Sequence, residues 1–279
     1  MFLSLKWLLF ALETWQRNLT SQEHFMGTQR AKLDDIKGKT AVVTGAAGSI
    51  GAAITQFLAE DGVRVVAIDM DLDKLKSVVG SFEGDVYPYV MDVSKEDAVA
   101  SVMTQIRKDV GDIDILVNVA GILSNNKLME TSVDEWHQIH AVNLDGPFFL
   151  SKEVLPAMQN SGWGRIINIA SYAWKSGGKT SGTAYSSSKA AMVGLTFAIA
   201  KQSAEFGVTV NGIAPAYVMS PMVTEQLNDE QRDKMMSEIP VRRFSEPEEI
   251  ANCVRFLTSP MSAFITGEII DMNGGFQFD

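Results

Sequence analysis

Tyr185 and Lys189 stand four positions apart in Tyr-Ser-Ser-Ser-Lys. In a helix that spacing puts a phenol and an ammonium on one face. A free phenol titrates near ~10, too high for an efficient base at neutral pH. A neighbouring cation favours the phenolate and lowers that value, which produces a group able to give or take a proton. A Tyr-x-x-x-Lys pair is common by chance, so its neighbours carry the argument. Ser171 follows the apolar run Ile166-Ile167-Asn168-Ile169-Ala170, 14 positions before Tyr185. From a strand end its hydroxyl can reach the same substrate oxygen as Tyr185. Asn143 is a polar residue in the otherwise apolar stretch HAVNLDGPFF. It reads as a helix kink satisfied by a water, and the same water could connect Lys189 to solvent as a proton relay. Together these four residues suit proton transfer to or from a hydroxyl or carbonyl oxygen.

The elements that must position them alternate regularly. Apolar, β-branched runs predict strands over 40–44, 63–68, 86–91, 113–118, 165–170, 208–213 and 268–271. Helical patterns fill 50–60, 94–110, 133–158 and 183–206, and Asp71 can cap another helix after the second strand. Strands alternating with helices of this length mean βαβ units. The expected fold is α/β: a single doubly wound Rossmann domain over residues 36–279, with a seven-stranded parallel sheet flanked by helices. Ligands of such sheets bind beyond the carboxyl ends of the strands, so the residues just after each strand are the candidates.

The first strand runs into Thr44-Gly45-Ala46-Ala47-Gly48-Ser49-Ile50-Gly51. Glycines there allow a tight turn and let backbone approach a pyrophosphate at the positive end of the next helix. Asp69, 18 positions past Gly51, ends the second strand, where its carboxylate can accept from the adenosine ribose hydroxyls. The same charge would repel a 2′-phosphate, and its neighbours Ile68 and Met70 are uncharged, so NAD is expected over NADP. Asp92 and Val93 after the third strand could meet the adenine. Asn118, Ala120 and Gly121 after the fourth leave room for the adenosine ribose.

Composition narrows the function classes. Of 279 residues, 46% are hydrophobic and 21% charged, the balance of a soluble protein with a substantial core. With 24 Lys and Arg against 34 Asp and Glu the net charge is −10, which disfavours nucleic-acid or anionic-membrane binding. One cysteine, Cys253, excludes an intramolecular disulfide or a cysteine-based metal cluster, and three scattered histidines make no zinc site. No metal is expected.

From about Lys37 onward the chain resembles the short-chain dehydrogenase/reductase family. The matching residues are the turn over 44–51, Asp69, Asp92, 118–121, Asn143, Ser171, Tyr185, Lys189 and Pro215. The resemblance implies a catalytic tetrad of Asn143, Ser171, Tyr185 and Lys189 and a nicotinamide cofactor. It implies that Tyr185 exchanges the substrate proton while hydride moves between carbon and nicotinamide. Ser171 would hold the substrate oxygen, and Lys189 would also bind the nicotinamide ribose. Pro215, Val218 and Ser220 would complete the cofactor site. Some positions depart from the family pattern. Ser49 stands at the usual middle glycine, with Gly48 just before it. Val119 replaces an asparagine, Ala216 replaces a glycine, and Ser220 replaces the threonine that contacts the carboxamide. The Ser171 to Tyr185 spacing is one longer than the commonest, although Ser176 and Ser181 are worse placed.

The stretch 216–238 is expected to cover the substrate, with Met219, Met222, Met235 and Met236 as adaptable apolar contacts. Ala216 and Trp174 would wall the same pocket. These residues favour a partly apolar secondary alcohol or ketone. The alternatives are a 3-oxoacyl-thioester reductase and a non-catalytic NAD-binding subunit. Family members are usually tetramers, and apolar residues on several faces of the helices over 133–158 and 183–206 suit a homotetramer. Residues 1–35 read as an accessory or artefactual extension. Their apolar run over 2–12 is too short to span a bilayer, and membrane contact would be limited to residues 1–25. A cytoplasmic location is expected.

Overall fold

A computed structural model describes residues 36–220 and 229–278. The N-terminal extension and Met222 lie outside the described residues. The strands are β1 (Thr40–Thr44), β2 (Arg64–Asp69), β3 (Val86–Val90), β4 (Ile115–Asn118), β5 (Gly164–Ile169), β6 (Val208–Pro215) and β7 (Ile269–Met272). They form one sheet in the order β3-β2-β1-β4-β5-β6-β7, and every pairing is parallel. The chain moves outward from β1 to β3, then crosses back to place β4 on the other side of β1. That reversal opens a crevice between the ends of β1 and β4, where a sheet of this kind takes its ligand.

The helices are α1 (Ser49–Glu60), α2 (Leu72–Val79), α3 (Glu96–Asp109), α4 (Val133–His140), α5 (Gly146–Ser161), the short α6 (Ala173–Ser176), α7 (Thr183–Ser203), α8 (Asp229–Glu238) and α9 (Pro247–Thr258). Alternate residues of each strand feed two cores because successive side chains point to opposite faces. Ala41, Val43, Val65 and Ala67 pack with Ile54 and Leu58 of α1 and with Ile250 and Val254 of α9. Val42, Val66 and Ile68 pack with Met103 and Ile106 of α3 and with Leu150 and Val154 of α5. Each such Val, Leu, Ile or Met side chain, fully buried, contributes roughly 1.5–3 kcal/mol. Both sheet faces are covered, which is why the strands read as unbroken apolar runs and not as an alternation.

The expected elements are present with small shifts. The second, fourth and seventh strands start one or two residues later than the apolar pattern predicts, and β6 runs on to Pro215. The single helix expected over 133–158 is broken by a π-helical turn at Ala141–Asp145, with Asn143 at its centre. Of the apolar helix residues expected to be left over, Leu150 and Met192 are core, whereas Phe148 and Phe197 are about half exposed. Among the described residues, no helix is long and apolar enough to cross a membrane, and no group of acidic, histidine or cysteine side chains could hold a metal ion.

Candidate active site

The glycine-rich turn is built around contacts that a side chain would block. Gly45 has φ of 64°, which favours glycine, and a Cβ there would fall 3.0 Å from the backbone of Ala120. At Gly51, in the first turn of α1, a Cβ would fall 2.2 Å from the Gly45 carbonyl oxygen. Helix α1 therefore starts tight against β1, with Gly48 at its N-cap, no side chain capping it and no acidic residue in its first turn. A helix N-terminus left this way favours an anion. The Asp69 carboxylate accepts from the Ala47 amide at 3.0 Å and from Met70 at 2.8 Å. It thus braces the turn and also faces the adjoining pocket, while Asp71 caps the next helix as expected, accepting from the Lys74 amide.

That pocket is lined by Gly45, Asp69, Met70, Asp92, Val93, Ala120, Gly121 and Val142. It holds two carboxylates and no cation among its described lining residues. Asp92 lines it while accepting from the Ser94 amide and hydroxyl at 3.0 and 2.6 Å. The pocket shares Gly121 and Ile122 with a second one lined by Ile50, Val119, Ser171, Tyr185, Lys189, Pro215, Val218 and Ser220. This in turn merges at Ser171, Tyr185 and Ala216 with a third, bounded by Tyr172, Ser176, Lys179, Thr180 and Tyr217. One continuous groove therefore runs from the end of β2, across the β1/β4 crevice, to α6 and α7. A dinucleotide fits the first two parts: bare backbone at the turn, an acidic site for a ribose, and the reactive side chains at the far end.

Strand β5 delivers Ser171 just beyond its end, and the N-terminal turn of α7 delivers Tyr185 and Lys189. Ser171 and Tyr185 line the same part of the groove, and the Ser171 oxygen accepts from the Ala173 amide at 3.1 Å. Lys189 is buried, and its ammonium donates to the Ile169 carbonyl at 2.7 Å. The dominant influence on the phenol is its burial. Burial pushes the Tyr185 phenol above its usual value, and the nearby Ser171 hydroxyl offsets only part of this. The Lys189 nitrogen lies 5.8 Å from the phenol ring centroid, and burial pulls its own pKa down to about 8. Desolvation outweighs the pairwise attraction at that separation.

Asn143 is fully buried. Its Oδ1 accepts from the Ile122 amide at 2.8 Å, and its Nδ2 donates to the Ile122 carbonyl and the Ser188 hydroxyl, each at 3.0 Å. The π-turn therefore clasps the segment after β4. A Cβ at Gly121 would lie 3.2 Å from Asn143 Oδ1 and 3.5 Å from Lys189 Nζ, so the glycine keeps open the small space those two share. That space suits the relay role, although Asn143 meets its hydrogen-bond needs largely through protein groups.

Two predicted contacts are placed differently. Asn118 is 1% exposed; its amide donates to Asn168 Oδ1 at 2.8 Å, and Asn168 donates to Thr196 at 2.9 Å. It belongs to a buried ladder across β4, β5 and α7 and does not line the groove. Trp174 is absent from the lining because it packs into the small core of Ala170, Met192, Val193 and Ala214. The lid methionines Met219, Met235 and Met236 also do not line the groove, whose outer part carries hydroxyls in their place. Sequence reasoning missed Thr44, whose hydroxyl accepts from the Val119 and Ala120 amides at 3.0 and 3.1 Å and ties the ends of β1 and β4 together. It also missed Leu123, Tyr172, Lys179, Thr180 and Tyr217 in the cleft. The Thr-Gly step after β1 was a usable signal for Thr44; the others come from loops without a periodic pattern.

A family model described as enoyl-(acyl carrier protein) reductase matches residues 45–277. The 3-oxoacyl-[acyl-carrier-protein] reductase FabG of Vibrio cholerae is 38% identical over 241 residues, covering 86% of this chain and 98% of that protein. FabG of Thermotoga maritima is 37% identical over 243 residues, with the same coverage of each chain. A solved structure described as a putative NAD(P)-dependent gluconate 5-dehydrogenase from Beutenbergia cavernae, with NADP bound at low occupancy, matches with a TM-score of 0.80. It is 34% identical, and the match covers 87% of this chain and 98% of that one.

Proposed function

Since the chain belongs to the short-chain dehydrogenase/reductase family, we propose that it moves hydride between NAD and a secondary alcohol or ketone, with Asn143, Ser171, Tyr185 and Lys189 as its working residues. The observation that carries this reading is that Ser171 and Tyr185 stand together where the dinucleotide-sized groove meets the outer cleft, with the Lys189 ammonium behind them. When bound, the nicotinamide supplies the hydride acceptor or donor.

The protein's own part is positioning and proton transfer. Ser171 and Tyr185 together hold the substrate oxygen. Burial keeps the phenol protonated, the form that donates to a ketone oxygen; in the oxidative direction the phenol must first lose that proton to take one from the alcohol. Lys189, anchored on the Ile169 carbonyl, supplies a cation at the rear of the site, and Asn143 fixes the loop that faces it. Gly45, Gly48, Ser49, Ile50 and Gly51 would meet the pyrophosphate, and Asp69 the adenosine ribose. Asp69 and Asp92 with no cation in the same pocket support NAD over NADP. The half-exposed Phe148 and Phe197 support subunit contacts of the homotetramer kind.

A second reading, reduction of a 3-oxoacyl thioester, is favoured by the resemblance to the FabG proteins. The test is NAD-linked turnover on paired secondary alcohols and ketones, with a 3-oxoacyl thioester alongside. Tyr185→Phe is expected to lower turnover by about 10²-fold or more while NAD still binds. Turnover near the parent level would overturn the assignment of Tyr185.

A further inference from the structure

The outer cleft holds a charge that the proton-transfer machinery does not use. Beyond Ser171 and Tyr185 the lining is mostly small groups and hydroxyls, and Lys179 is the only charged side chain among the described residues that line this part. Its ammonium pairs with Glu238 of α8, a residue outside the lining, and sits 5.5 Å over the Phe276 ring. The hydrogen bond to Glu238, helped by the phenols of Tyr217 and Tyr172, holds Lys179 protonated. Both partners are substantially exposed, with side chains 53% and 34% accessible, and an ion pair in that setting is weak and readily exchanged. A flexible cation at the mouth of this cleft, with a replaceable carboxylate as its present partner, is built to meet another carboxylate.

We propose that Lys179 selects substrates carrying a carboxylate at the end remote from the reacting carbon, so that the cleft takes short hydroxy acids and oxo acids in preference to their neutral counterparts. This rests on the oxidoreductase reading of the same site. In the complex the substrate carboxylate replaces Glu238 on Lys179, while the hydroxyl or carbonyl of the reacting carbon meets Ser171 and Tyr185. Lys179 acts on binding and takes no part in proton transfer, so its effect falls on KM.

The test uses the full chain with NAD and matched pairs: 3-hydroxybutyrate and its methyl ester, 4-hydroxypentanoate and its methyl ester. NADH formation is followed by absorbance, and binding of the same compounds by ligand-observed NMR. A preference for acid over ester of about tenfold or more is expected, the scale of one charge-assisted hydrogen bond. Lys179→Ala should bring that ratio close to one through KM, Lys179→Arg should retain most of it, and Glu238→Gln should lower KM for the acids. Equal handling of acid and ester by the parent, or a preference that survives Lys179→Ala, overturns the proposal. The two readings fail separately. NADH formation without acid selectivity removes the role of Lys179 and leaves the oxidoreductase. Selective, Lys179-dependent NMR binding without NADH formation from any pair keeps the carboxylate site and removes the hydride-transfer reading.

Discussion

Gly51 is the position where one added methyl group should do the most damage to the cofactor turn. The built Cβ lies 2.2 Å from the Gly45 oxygen, 2.7 Å from its carbonyl carbon and 2.9 Å from the Ala46 Cα. All three are backbone atoms, so no side chain can swing aside, and α1 must move away from β1 or the turn must open. Overpacking of this kind costs about 1–3 kcal/mol. Alanine in a helix recovers about 0.5–1 kcal/mol relative to glycine. With only backbone atoms to yield, the upper part of the overpacking cost, about 2–3 kcal/mol, applies, and the net loss for Gly51→Ala is then about 1–2.5 kcal/mol, or roughly 2–10 °C in Tm for a domain of this size. Gly48 supplies the control. Its built Cβ meets only the Gly45 oxygen, at 3.3 Å, and its φ of −86° is open to any residue. Gly48→Ala should therefore shift Tm by less than about 2 °C. Differential scanning calorimetry of both variants gives the stability term, and NAD titration gives the consequence for the site. We expect Gly51→Ala to weaken NAD binding by more than the parent-to-Gly48→Ala difference. A Gly51→Ala protein that melts and binds like the parent would refute the steric account of why α1 begins where it does.

Two further outcomes are expected. Asp69→Asn, which removes the charge and keeps an acceptor for the Ala47 amide, should move the NAD to NADP ratio of kcat/KM toward NADP by about tenfold; an unchanged ratio would show that Asp69 does not read the ribose. The second concerns Lys189, pulled down to about 8 when folded, against ~10.4 for a free lysine. Below the folded value its buried charge destabilises the native state, and this penalty is relieved as pH rises from about 8 toward 10.4, where the unfolded chain binds the extra proton. Lys189→Met should therefore gain stability over the parent at pH 7 by an amount on the order of 3 kcal/mol more than at pH 10.5. Denaturant unfolding of both proteins across that range checks it, and a pH-independent difference would contradict the assigned burial of the charge.

The division between what could be read along the chain and what required the fold follows from range. The parallel sheet, the order of its strands and helices and the location of the cofactor turn were legible in the sequence, because strand and helix periodicity and glycine spacing act within a few residues. The pairing of Tyr185 with Lys189 was legible for the same reason: a spacing of four on one helix brings them together whatever surrounds it. The sense of the Tyr185 shift was not, since it depends on how much water the assembled groove removes from the phenol, and no local pattern encodes that. The break at Asn143 was legible as a kink, but its partner was not: the side chain is satisfied by the backbone of Ile122, 21 positions away, where a water was expected. Trp174 and Asn118 show the same limit. Each was predicted to meet a ligand, yet Trp174 packs into the cluster of Ala170, Met192, Val193 and Ala214, and Asn118 pairs with Asn168 inside the sheet. Lys179 shows it from the other side: nothing in its own segment marks it, and it becomes a cleft residue only when the loop after α6, the C-terminal Phe276 and Glu238 of α8 meet. Local spacing determined which residues could do the chemistry, and tertiary packing decided the solvation and partners that set how each of them does it, because desolvation and charge pairing are properties of a site assembled from distant parts of the chain.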